Sequence, residues 1–366
     1  MQLLVQPDDG IRLLIKAIVK ASRTVKIVIF RFDQREIEQA LANAVARGVS
    51  VHALIAHTNR AGEENLRKLE MRLLAAGVTV ARTADDLVRY HSKMLLVDGR
   101  ELYLLGFNWT HLDAEHSRSF GVVTRSPALV KEAERLFAAD VERRAYEPGS
   151  KGLVVSPVNA RRLLSDFLKG AKKRLLVYDP KISDPAMIGL LERRCRAGVD
   201  IKILGRMTHR IPGVEVRKLA PMRLHTRTMI RDGNLAFIGS QSLRALELDA
   251  RREVGVIFRD PKIVARISRI FAEDWAQSGQ TTRQAEDEAP AAKVARKVAK
   301  LVTKDLPEVV PVLNGAFKAV VGNAMDVELN PEEVEAAVKN AVREAVKEAV
   351  SDMVQEAVED DRGGRQ

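Results

Sequence analysis

Two short stretches carry side chains able to do chemistry together. "HSKMLLVDG" sets His91, Lys93, Asp98 and Gly99 in an otherwise apolar run. At an offset of 134, "HTRTMIRDG" sets His225, Arg227, Asp232 and Gly233 at the same spacing. An imidazole can attack an electrophile or pass a proton, and a nearby cation can neutralise charge that builds in the reaction. Side chains alternate along a strand with period two, so each histidine and its cation are expected on one side. Residues 94–97 then read as the buried remainder of the first strand. One such pair is a weak signal, and its repetition in register makes these residues a candidate site.

The likeness continues without a gap beyond the motifs. "FGVVTRSPALVKEAERLFAAD" from Phe120 lies over "VGVIFRDPKIVARISRIFAED" from Val254. Upstream a second register holds at an offset of 150, with Pro7 over Pro157, Arg60 over Arg210 and "ARGVSVHALIAHTNR" over "RAGVDIKILGRMTHR". The offsets differ by 16, about one extra helix, which falls on "EENLRKLEMRLLAAG" in the first half. The chain is a duplication of a unit of about 130–150 residues, far longer than a solenoid repeat.

The elements that must position the motifs also repeat. Each half opens with an amphipathic helical pattern ("DDGIRLLIKAIVKASR", "VNARRLLSDFLKGAKK"), followed by a β-rich run, a helix and another strand. This alternation predicts an α/β fold with much of the sheet parallel. The motif strand leads through a Gly turn into "ELYLLGF" or "NLAFIGS", a hairpin signal, and each half closes with a helix begun near Pro127 or Pro261. The expected boundaries are 1–148 for the first half, 149–277 for the second and 278–366 for a polar linker and helical tail. The tail carries a basic helical pattern over 291–306. A capped helix follows, with Asn330, Pro331 and Glu333 at its start and Ala-Val pairs every four residues. It is a candidate for self-association.

The chain has 366 residues, 46% hydrophobic and 30% charged, the profile of a globular protein. No apolar run approaches the ~20 residues that span a bilayer, and "MQLLVQPDDG" lacks a signal-peptide layout. The single cysteine, Cys195, excludes a disulfide framework and makes a reducing cytoplasm the expected home. From residue 278 onward there are 12 Lys+Arg against 17 Asp+Glu, so the stretch 1–277 holds 48 basic and 32 acidic groups, a net of +16. Such a field favours anionic partners: lipid headgroups, nucleic acid or phosphorylated small molecules.

Two copies of His-x-Lys-x4-Asp in one chain resemble the phospholipase D superfamily and its HKD motif. "HSKMLLVD" is complete, whereas "HTRTMIRD" has Arg227 where the family has lysine. "GSQS" is similar to the family's downstream Gly-Ser turn, with "LGFNWT" as its first-half counterpart. The resemblance covers about residues 1–277 and implies two α/β/α halves packed about a pseudo-twofold axis, with both motifs in one cleft. It implies attack on a phosphodiester by one histidine to give a phosphohistidine, with the other protonating the leaving alcohol. Lys93 and Arg227, helped by Asn108, Ser240 and Ser242, would neutralise the phosphoryl oxygens. Asp98 and Asp232, opposite in phase to their histidines, are given structural roles. No cofactor and no metal are expected, because the other histidines lack shared ligand spacing.

Glu253 follows His225 at the place where the family often has a carboxylate that orients the histidine, and its first-half equivalent is Ser119. Glu253 is therefore expected on His225, keeping it protonated as the acid, with His91 neutral as nucleophile and Glu115 as a substitute acid. Arg227→Lys, which restores the family pattern, is expected to hold or raise activity. The leading reading is an enzyme on phospholipid headgroups, near the bacterial cardiolipin synthase branch. It would touch the inner membrane face only peripherally. The alternatives are a nuclease of the same superfamily and a degenerate anion- or membrane-binding protein.

Overall fold

Short runs rich in Val, Ile and Leu form the strands, and the duplication lays them out twice. The computed structural model describes residues 1–57, 63–149, 152–219 and 222–280, within one compact unit, Met1–Thr281. The linker, the basic pattern over 291–306 and the capped Ala-Val helix, with the self-association assigned to it, lie outside the described residues, as does Arg60.

The first half runs β1 (Gln2–Gln6), α1 (Arg12–Lys20), β2 (Thr24–Ile29), α2 (Arg35–Ala46), β3 (Ser50–Ile55), α3 (Glu63–Ala75) and β4 (Thr79–Arg82). It continues with β5 (Arg89–Tyr90), β6 (Met94–Val97), β7 (Glu101–Leu105), α4 (His111–Glu115), β8 (Ser117–Thr124) and α5 (Pro127–Val141). The second half repeats this with β9 (Leu153–Val155), α6 (Ala160–Lys169), β10 (Arg174–Ile182), α7 (Pro185–Arg196), β11 (Asp200–Met207) and β12 (Glu215–Lys218). Then come β13 (Arg223–Leu224), β14 (Arg227–Arg231), β15 (Leu235–Gly239), α8 (Ala245–Asp249), β16 (Arg251–Arg252), β17 (Val254–Phe258), α9 (Pro261–Ala276) and β18 (Gly279–Gln280). The extra helix of the first half is α3.

One sheet has the order β1-β8-β7-β6-β2-β3-β4 and the other β18-β12-β11-β10-β14-β15-β17-β9. Along these two orders β2-β3-β4 and β10-β11-β12 are parallel and the other pairs antiparallel, so the strand–helix alternation fixes one flank of each sheet. Alternation along the strands feeds different layers. Val25, Ile27 and Ile29 join the outer core of the first half, while Val28 faces a central core. That central core takes the inner faces of both sheets together with α5 and α9, so the two halves share it.

The hairpin between β6 and β7 turns on Asp98 and Gly99, both left-handed with φ 54° and 63°; Asp232 and Gly233 repeat this at 52° and 67°. A short polar side chain tolerates that conformation and can bond locally. The Asp98 carboxylate accepts the backbone N–H groups of Ser22, Arg23 and Thr24, and Asp232 those of Lys172, Lys173 and Arg174. Each turn is thereby tied to the start of the neighbouring strand.

At the seam the halves exchange contacts symmetrically. β5 pairs in parallel with β16, and β13 with the start of β8. Arg118 donates to Asp274 at 2.9 Å and to the Gln6 carbonyl, and Arg252 donates to Asp140 at 3.1 Å and to the Ser156 carbonyl. All four charged groups are buried, each paired with a residue of the other half.

Candidate active site

The motif residues stand where the chain leaves the seam and enters the central sheets. His91 follows β5, and its backbone N–H donates to the Arg252 carbonyl at 2.8 Å; His225 follows β13 and donates to the Arg118 carbonyl at 3.1 Å. Lys93 precedes β6 and Arg227 opens β14. The two histidines therefore lie in extended links between ladders, not inside one strand as expected. Parallel pairing across the seam places each histidine beside acids of the opposite half.

His91 Nδ1 lies 2.9 and 3.0 Å from the two Glu253 oxygens, and its Nε2 lies 2.7 Å from Lys93 Nζ. Glu253 thus serves His91, not His225. The expectation failed because it counted residues within one half, and the β5–β16 ladder carries Glu253 across to the other. His225 Nδ1 is 3.0 Å from Asp113 Oδ2, an ion-pair distance, although the approach is off the line of a hydrogen bond. Asp113 sits on α4 and is anchored by the backbone N–H and side-chain amide of Asn108, at 2.7 and 2.8 Å, and by Arg223 at 2.6 Å. Glu115, expected as the substitute acid for His91, does not reach it; it is exposed and bonds His111 at 2.9 Å, and Glu253 holds the place on His91.

Sequence reasoning missed Asp113, yet a signal was there. In the register that lays one motif on the other, Asp113 falls on Glu247, so both short helices carry an acid at one position. The two acids are used differently. Glu247 accepts the Ser242 backbone N–H and lies 3.4, 3.5 and 3.9 Å from Arg244, Arg251 and Arg227. Arg227 also donates to the His225 carbonyl at 2.8 Å and to Ser242 Oγ at 3.2 Å. Ser240 turns toward the backbone of Val254, where its hydroxyl accepts the N–H at 3.2 Å. Asn108 keeps a buried Oδ1 without a hydrogen-bond partner. Phe30 packs edge-on to His91 with centroids 4.5 Å apart, and Lys93 lies 5.6 Å above the same ring.

Burial and a surplus of cations set the protonation states. Burial, with Lys93, Arg89, Arg227 and Arg251 adding to it, pulls His91 well below its usual range. Burial takes His225 down to about 3 despite Asp113, so it is neutral at rest, contrary to expectation. Burial lowers Lys93 to about 7, with Arg227 opposing its charge and Glu253 favouring it. Burial and the neighbouring Glu247 raise Glu253 to about 7. Burial would raise Asp113 too, but His225, Arg223 and Asn108 outweigh it and hold that carboxyl far below the usual range. Arg227 therefore acts on His91 and Lys93 of the other motif, so the two motifs form one electrostatic site. Among the described residues no group of three or more His, Cys, Asp or Glu is arranged to hold a metal ion.

Comparison with known proteins agrees with the geometry. The family described as "Cardiolipin synthase, PLD-like domain" matches residues 14–141 and again 164–275. The chain belongs to this phospholipase D-like family, with the domain present twice. It is 27% identical to a mitochondrial cardiolipin hydrolase of Danio rerio over 34% of this chain and 53% of that one. It is 26% identical to polyphosphate kinase 1 of Chlorobaculum tepidum over 67% of this chain and 39% of that one. The chain thus spans about half or less of these curated relatives. The crystal structure of phosphatidylserine synthase from Haemophilus influenzae Rd KW20 superposes with a TM-score of 0.61 at 11% identity, covering 92% of this chain and 94% of that one, a likeness of fold.

Proposed function

We propose that the protein is a phospholipase D-type phosphodiesterase or phosphatidyltransferase that acts on phospholipid headgroups through a phosphohistidine. The observation that carries this is the arrangement at His91. Glu253, when ionised, holds the imidazole proton on Nδ1 and leaves Nε2 as the attacking atom, and Lys93, when protonated beside Nε2, supplies the counter-charge of a phosphoryl oxygen. His91 Nε2 would form the bond to phosphorus while the alcohol departs with a proton from His225. Water or a second alcohol, deprotonated by His225, then takes the phosphoryl group and frees His91. Asp113 suits His225 to this task because it stays ionised and stabilises the imidazolium. The entering phosphodiester brings the negative charge that lets His225 take up its proton.

The net charge of +16 over the stretch 1–277 supports an anionic surface as partner, and the cardiolipin hydrolase relative supports a lipid. Among the described residues no helix is long and apolar enough to cross a membrane. A second reading, transfer of a phosphoryl group from a phosphoanhydride, draws on the alignment with polyphosphate kinase 1 over two thirds of the chain. One panel decides: labelled phosphatidylglycerol, phosphatidylcholine, single- and double-stranded DNA, and polyphosphate, each assayed with and without chelator. Turnover of a phospholipid, with label trapped on wild-type protein but not on His91→Ala, is expected. Turnover of DNA or polyphosphate alone would replace the lipid reading. Adduct on His225 would reverse the two roles.

A further inference from the structure

The two halves diverge at a place remote from the histidines. In the first, Lys26 on β2 pairs with Glu134 on α5 at 3.1 Å and lies 5.9 Å above the Phe137 ring, which fills the space between sheet and helix. The ladders fix the equivalent positions: Lys26 stands opposite Leu96 and His52, and Leu176 opposite Ile230 and Lys202. In the second half Lys26 and Glu134 are thus replaced by Leu176 and Ser268, and Val141 by Trp275. Losing the ion pair leaves a groove of about 510 Å³ floored by Leu176, Ile230, Phe271 and Trp275. That size lies within the ~300–1,000 Å³ of small-molecule sites.

Charge at the mouth selects the ligand. Arg174 pairs with Asp200 at 2.9 Å and Lys202 with Glu215 at 3.5 Å, and Lys202 also sits 5.4 Å above the Trp275 ring. The rim carboxylate of Asp232 is occupied by three backbone N–H groups. Lys173, exposed at the opening, has no ion-pair partner among the described residues. An apolar floor beside an ammonium that no carboxylate among the described residues pairs fits a chain with an anionic end. We infer that this groove binds a single-chain anionic amphiphile, its chain against Phe271 and Trp275 and its head at Lys173. None of the lining residues belongs to the catalytic site, so the inference stands apart from the proposed reaction.

Dodecyl phosphate below its micelle-forming concentration, titrated calorimetrically into the full chain, should show saturable one-site binding. Leu176→Lys with Ser268→Glu rebuilds the ion pair of the first half and should weaken binding at least tenfold with an unchanged melting temperature. Ala272→Trp, at an exposed position on the groove wall, is a second and independent plug. Lys173→Ser should weaken dodecyl phosphate but not dodecanol. His91→Ala should bind like wild type. No saturable binding by wild type, or binding untouched by both plugs, would overturn the inference. Equal affinity for inorganic phosphate or for dodecyltrimethylammonium would do so too, as would loss of binding in His91→Ala.

Discussion

At the scale of residues, Arg227 shows how one substitution draws in its surroundings. A lysine there would match the family's motif, but the guanidinium bridges the His225 carbonyl and Ser242 and answers the buried Glu247. An ammonium cannot hold all three in one geometry. Arg227→Lys should therefore lower kcat by about tenfold, not hold or raise activity as the motif alone suggests; a variant at wild-type rate would show that only the charge matters. His225 offers a pH test. Its folded pKa, depressed by burial from 6.5 to about 3, contributes stability that is present above pH 6.5 and lost as pH falls toward 3. His225→Asn has nothing to titrate there. Relative to that variant, wild type should lose about 2 kcal/mol between pH 7.5 and pH 5, read by urea denaturation at both values. A constant difference would mean that His225 is not buried neutral.

At the scale of elements, the seam ladders are what turn two motifs into one site. β5 on β16 and β13 on β8 are only two residues long, so they depend on the buried arginine–aspartate pairs beside them. Arg118 and Tyr178 both donate to Asp274, which makes that carboxylate a joint between β8, β10 and α9. Asp274→Asn leaves the Arg118 charge buried with weakened compensation and should cost about 3 kcal/mol in denaturant unfolding. Activity should fall with it, because the strand that carries Ser117 and Arg118 is also the one that positions His225. A loss under about 1 kcal/mol would show that the pair is replaceable by water.

At the scale of the whole molecule, the central core belongs to both halves. A chain ending at residue 281 should fold cooperatively and keep its turnover, since Met1–Thr281 is a unit in itself. A chain ending at residue 148 should not, because it would expose the face that Leu153, Tyr178, Ile238 and Phe271 cover. Circular dichroism melts of both would check this; an unfolded 1–281 chain would move the domain boundary into the tail.

The duplication, the motif residues, the Asp-Gly turns and the helix starts at Pro127 and Pro261 were legible in the sequence because local periodicity and turn chemistry specify them. The pairing of each histidine with its acid was not. Asp113 and Glu253 reach their partners across a seam that joins positions far apart in the chain, and the offset of a repeat carries no information about which half lies opposite. Protonation was equally a tertiary matter. A carboxylate beside a histidine argues for imidazolium in water, but here burial among several arginines outweighs it and leaves both imidazoles neutral. The sequence by itself determined the duplicated motif and its candidate residues; the packing of the halves decided which acid stands beside which histidine, because desolvation and contact across a seam exist only once the chain is folded.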